Sequence, residues 1–113
     1  MNDLEFEMNR VIEVVIECCV TTLDDGSYSI TRRDVLGTSK KENAAIVRYM
    51  LSFHLVKFGL SYTTISLLFG RSVQSVRNMI DAHEKWMSTS QAYRIANNQV
   101  IRKLNAINSQ EIQ

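Results

Sequence analysis

The chain has 113 residues, 45% of them hydrophobic and 22% charged, with two cysteines, four glycines and no proline. That length allows one domain, over residues 1–113, with a modest core, and leaves no room beside it for a nucleotide-hydrolysing domain. The formal net charge of +1 hides a division: residues 1–30 carry seven acids and one base, residues 31–113 twelve bases and five acids. Such asymmetry fits a nucleic-acid-binding body with an acidic segment, and equally the ordinary solvation of two differently charged helix faces.

The lack of proline and the placing of the glycines where helical patterns break predict an all-α fold, a compact bundle of about five to six helices. Leu4, Met8, Val11, Ile12, Val15, Ile16 and Cys19 recur at helical spacing. They predict an amphipathic first helix from about Asp3 to Val20, inside an acidic segment over 1–22, with Glu5, Glu13 and Glu17 facing out. Residues 23–28, rich in turn formers, predict a loop. Thr31 with Asp34 three residues on predicts a capped short helix ending at Gly37.

Ser39-Lys40-Lys41-Glu42 has the form of a capping box and opens the longest helix, which Gly59 should end. Its apolar run from Ala44 to Leu60 is interrupted by Arg48, His54 and Lys57, so it predicts a buried helix and not a membrane span. The expected inward residues are Ala45, Ile46, Met50, Phe53, Leu55 and Phe58. After a break at residues 88–90 a last helix should bury Tyr93, Ala96, Val100, Leu104 and Ile107, and the polar residues 108–113 should fray.

Between these helices lies the segment SYTTISLLFGRSVQSVRNMI, residues 61–80, which predicts a helix-turn-helix extending to about residue 87. Ser61 can cap a first helix that buries Ile65, Leu68 and Phe69, Gly70 supplies the turn, and Ser72 caps a second helix that buries Val76, Met79 and Ile80. Ser72, Val73, Gln74, Ser75, Arg77 and Asn78 then lie at or near the N-terminus of the second helix, where a recognition helix meets base edges. Arg71 beside the turn opposes the helix dipole unless an anion such as phosphate neutralises it. The bland alternative is a helical hairpin whose polar face meets water.

Catalytic patterns are missing. His54 and His83 have no ligand partners at metal-binding spacing and read as structural or surface residues. Cys18 and Cys19 are adjacent, where a disulfide is strained, and read as reduced core residues. No P-loop, dinucleotide fingerprint or nucleophile elbow occurs. The expectation is a non-enzyme with neither cofactor nor metal, and, from reduced thiols and an acidic N-terminus unlike a signal peptide, a cytoplasmic protein.

The segment DVLGTSKKENAAIVRYM, from Asp34, followed by SYTTISLLFGRSVQSV resembles the C-terminal DNA-binding domain of the bacterial chromosomal replication initiator DnaA, over roughly residues 31–104 of a module spanning 31–107. The matching residues are Val35-Leu36, Lys40-Lys41, Ser61, Ile65, Phe69, Gly70, Arg71, Ser75 and Val76. Ser66 stands where that family has glycine, one glycine of its pair is missing, and Ser72-Val73-Gln74 replaces its base-reading Asp-His-Thr. The resemblance implies an initiator-like or Trp-repressor-like helical fold and binding to double-stranded DNA, with a role in replication or transcription in bacteria or phage. It further implies that Lys40 takes the place of a minor-groove arginine in the basic loop, that Lys41 lies beside it, and that Arg48 takes the place of a phosphate-contacting arginine. From the residues themselves, Gln74 can read adenine, Val73 can meet a thymine methyl, Ser72 and Ser75 can bond phosphate or a base edge, and Arg77 can do either. The alternative is a protein-interaction module on the same fold that has lost DNA, with a protein partner or a second copy held by the acidic first helix.

Overall fold

The structure, a computed structural model, describes residues 3–23, 30–37 and 42–112. Six α-helices make up these residues: α1 (Asp3–Leu23), α2 (Arg32–Leu36), α3 (Glu42–Phe58), α4 (Tyr62–Phe69), α5 (Val73–Thr89) and α6 (Gln91–Ile112). The all-α bundle expected from the sequence is therefore present. No helix among the described residues is long and apolar enough to cross a membrane.

α1 is rich in β-branched residues, which form helices reluctantly, so its stability rests on what it buries. Val11, Ile12, Val14, Val15, Cys18 and Cys19 form that stripe, while Glu5, Glu13 and Glu17 are exposed. The helix runs three residues beyond its expected end, and Thr22 Oγ1 donates to Gln99 Oε1 of α6 at 3.0 Å. Lys103 of α6 bonds Glu17 of α1 at 2.6 Å, an exposed pair that adds little beside the shared apolar face. Both cysteines are free and buried, and the Cys19 thiol points at Met50 Sδ, 3.5 Å away. Burial pushes the Cys19 thiol up to about 12, which leaves it protonated and unreactive.

α2 is a single turn closed as its sequence predicts: Thr31 Oγ1 accepts from the Asp34 amide and the Asp34 carboxylate accepts from the Thr31 amide, both at 3.1 Å. α3 is the central helix, packed against α1, α2, α4 and α5. Ala44, Val47, Met50, Leu51 and Leu55 are buried on several of its sides, which differs from a single inward stripe. Ala44, not Ala45, is the fully buried alanine, and Ile46, Phe53 and Phe58 are half-buried. A helix surrounded by partners has no one apolar face from which to set the phase.

Gly59, at φ 117°, ends α3, and Leu60 N–H reaches back to Leu55 carbonyl at 3.1 Å. α6 starts at Ser90, whose hydroxyl accepts from the Tyr93 amide at 3.1 Å, and its inward face buries Tyr93, Ala96 and Val100 with Leu104 half-buried. The helix continues to Ile112. The expected loop at residues 24–28, the Ser39 cap and the Ile107 side chain lie outside the described residues.

Two polar pairs sit inside the bundle. His54 Nε2 is 2.7 Å from Asn97 Oδ1, joining α3 to α6, and His83 Nδ1 is 2.6 Å from the Tyr93 hydroxyl, joining α5 to α6. Both histidines are buried. The sequence signal for this was present for His83, which follows Val76 and Met79 at the spacing of the buried face of α5.

Candidate nucleic-acid interface

Serine hydroxyls and one glycine shape the α4–α5 corner. Ser61 and Ser72 share the same extended backbone, φ −73° and ψ 159°, and each hydroxyl accepts from the amide three residues on, Thr64 or Ser75, at 3.1 Å. Gly70 adopts the left-handed conformation, φ 63° and ψ 37°, and Arg71 N–H bonds Ser66 carbonyl at 2.9 Å. This terminates α4 with its carbonyls satisfied and reverses the chain into α5 within three residues. Ile65 and Phe69 from α4 and Val76 and Met79 from α5 are buried in the main core, with Leu68 and Ile80 half-buried. Ser66, where a glycine was the comparison, is buried and donates its hydroxyl to Thr63 carbonyl at 2.7 Å.

Packing of that face leaves the opposite one outward. Ser72, Gln74, Arg77 and Asn78 are exposed, and Val73 and Ser75 half-buried. Gln74 Nε2 donates to Asn78 Oδ1 at 3.1 Å, so the two amides already form one turn-spanning polar unit. The Ser72 and Ser75 hydroxyls lie 3.0 Å apart and serve the cap. Arg77 has no hydrogen bond or ion pair among the described residues. The first amides of α5, Val73 and Gln74, precede the intrahelical ladder, so the positive end of the helix dipole opens on this surface.

Arg71 is half-buried at the turn, and its Nε is sealed from solvent without a hydrogen-bond partner. Arg48 lies close enough for the two cations to repel: burial first and Arg71 second hold the Arg48 guanidinium below its usual basicity. Arg48 itself is 3% exposed. Its Nε donates to Val35 carbonyl at 2.7 Å and its Nη2 to Asp34 carbonyl at 2.8 Å. The Arg48 guanidinium, expected on phosphate, here serves the last carbonyls of α2, which a one-turn helix cannot satisfy internally. Lys40 and Lys41 lie outside the described residues.

The structure thus brings Arg71, Ser72, Val73, Gln74, Ser75, Arg77 and Asn78 to one corner and removes Arg48 from its surface. A side chain missed by the pattern is Leu67 of α4, 78% exposed on the same helical pair, which the apolar run of α4 gave no reason to place outside. The chain matches no protein-family model, no curated protein and no solved structure.

Proposed function

We propose that this protein binds double-stranded DNA, with α4 and α5 acting as a helix-turn-helix and the first two turns of α5 entering a major groove. The observation that carries this is the exposed Gln74–Arg77–Asn78 face at the N-terminus of α5, held rigidly outward by the Gly70 turn and the Phe69–Val76–Met79 packing. A short polar face at a helix N-terminus, fixed from behind, suits base reading. Gln74 offers a donor and an acceptor to adenine, with Asn78 bracing it, and Arg77 one turn from the cap reaches guanine or phosphate. Arg71, a half-buried cation at the turn repelled by a second guanidinium, gains from a phosphate oxygen. Lys40 and Lys41, just before α3 in sequence, supply backbone or minor-groove charge.

Fluorescence anisotropy on a random-sequence duplex across a salt series tests the proposal. Four cations on phosphate predict that log Kd changes with log salt by a slope of about 3–4; absence of binding at low salt overturns it. Selection of bound sequences from a random pool then defines the site.

One observation favours a second interaction. Leu4 and Phe6 are 59% and 53% exposed near the start of α1, beside the exposed acids Asp3, Glu5 and Glu7. An apolar and acidic end of this kind suits a protein partner or self-association, which the mass in solution at increasing concentration tests.

A further inference from the structure

A cavity of about 580 Å³ opens between α1, α3, α5 and α6, on residues that the proposed DNA surface does not use. Its walls are apolar and largely aromatic or flexible: Phe53 and Phe58 from α3, Met87 from α5, Ile101 and Leu104 from α6. The Phe53 and His83 rings are stacked, 4.1 Å apart and 14° from parallel, so two aromatic rings from different helices brace this wall. The volume falls in the range of about 300–1,000 Å³ that small-molecule sites occupy.

The polar groups in this cavity are only half used. His54 spends Nε2 on Asn97 Oδ1 and His83 spends Nδ1 on the Tyr93 hydroxyl. The second ring nitrogen of each, and the Asn97 amide nitrogen, have no partner among the described residues. None of the three is sealed in protein, since the buried unsatisfied side-chain polar atom among the described residues is Arg71 Nε. All three residues line the cavity and are at most 5% exposed, so these atoms reach the cavity space. With Nε2–H given to Asn97, His54 Nδ1 is an acceptor, and the Asn97 amide nitrogen is a donor.

Charge selection is absent at this depth. Burial lowers the basicity of both imidazoles, leaving them neutral at pH 7. Around the mouth stand Glu7 and Glu84 against Arg10 and Lys57, two charges of each sign.

We propose that this cavity binds a small, uncharged heteroaromatic molecule whose ring carries hydrogen-bonding nitrogen. The apolar walls take its ring, and the polar side chains of His54 and Asn97 bond its nitrogens. This stands apart from the DNA reading, because its probes bind or fail without any nucleic acid present.

Isothermal titration with benzimidazole, indene and benzoate tests shape and polarity separately. Benzimidazole should saturate one site and bind about tenfold or more tightly than indene, which has the shape without the ring nitrogens. Asn97→Leu should erase that preference, and Ile101→Trp, a filling substitution at an exposed position, should weaken both aromatic probes while circular dichroism stays unchanged. If Asn97→Leu does not fold, the Ile101→Trp result and the wild-type ranking still decide. Failure of benzimidazole to saturate at millimolar concentration, equal binding of indene, or tightest binding of benzoate overturns the proposal. So does an Ile101→Trp protein that binds benzimidazole as the wild type does.

Discussion

The His83 imidazole and the Tyr93 hydroxyl meet at 2.6 Å in the core, at a point where α5 and α6 close on each other. Desolvation pushes His83 down to about 4 from its usual 6.5 and raises the Tyr93 phenol, so both are neutral at pH 7. Between those two values the unfolded chain binds a proton at His83 that the folded chain refuses, so stability increases with pH. The contribution is complete above pH 6.5 and is lost as pH falls from there towards about 4. The melting temperature should therefore be level above this window and fall as pH drops through it. His83→Gln should make the fall shallower, with His54, shifted in the same direction by burial, retaining part of it. A decline that is the same in wild type and variant would show that His83 is hydrated in the folded state.

Arg48 acts in the same way on another joint, between α3 and the one-turn α2. Arg48→Met keeps the aliphatic bulk but leaves the Val35 and Asp34 carbonyls without their charged donor. A loss of about 3 kcal/mol is expected from two such bonds. Hydrogen exchange should show α2 opening first, while α5 and α6 stay protected. Arg48→Lys should recover only part, because one ammonium lacks the planar fork that serves two carbonyls. Wherever these variants remain folded, the salt slope of DNA binding should be unchanged, which would separate Arg48 from the proposed DNA surface.

The contrast between Ser72 and Arg48 shows what the sequence makes legible. Caps and turns are local: Ser61, Ser72, Thr31 and Gly70 act on residues within about one turn of themselves, so their roles can be read from spacing. Arg48 bonds residues thirteen and fourteen positions away, and its burial depends on where α2 docks. The same holds for Ala44 against Ala45 on a helix enclosed on several sides, and for the His54–Asn97 pair, 43 residues apart. The exposed face of α5 was legible because its amphipathic period leaves it no other place. The cavity was not, since it exists only where four helices converge.

Gly70 and Phe69 give the corner two independent supports. Among the described residues, none beyond its chain neighbours lies within 4 Å of a Cβ placed on Gly70, so substitution there is opposed by its positive φ and not by space. Gly70→Val should lose about 1–2 kcal/mol or more, and Gly70→Asn distinctly less, because asparagine tolerates the left-handed conformation. Phe69 is 2% exposed in the main core, and Phe69→Ala should cost about 3–5 kcal/mol in chemical denaturation. Equal losses for Val and Asn at position 70 would mean that the turn is held by something other than backbone conformation.

The proposed DNA contacts separate by kind. Arg71 stands at the turn beside a second guanidinium, so the contact proposed for it is with phosphate, common to every sequence. Arg71→Gln should weaken all duplexes alike and reduce the salt slope by about one. Gln74 is uncharged and exposed, and among the described residues it pairs with Asn78 on its own helix. Gln74→Ala should leave the slope intact and cost about 1–3 kcal/mol on the selected sequence alone, relaxing preference at one base pair. Asn78→Ala, which removes the brace but not the reader, should cost less than Gln74→Ala at that same base pair. Anisotropy on selected and scrambled duplexes across a salt series measures all three variants. If Gln74→Ala weakens both duplexes equally, α5 lies on the backbone and not in the groove; if none of the three changes binding, DNA contacts another surface.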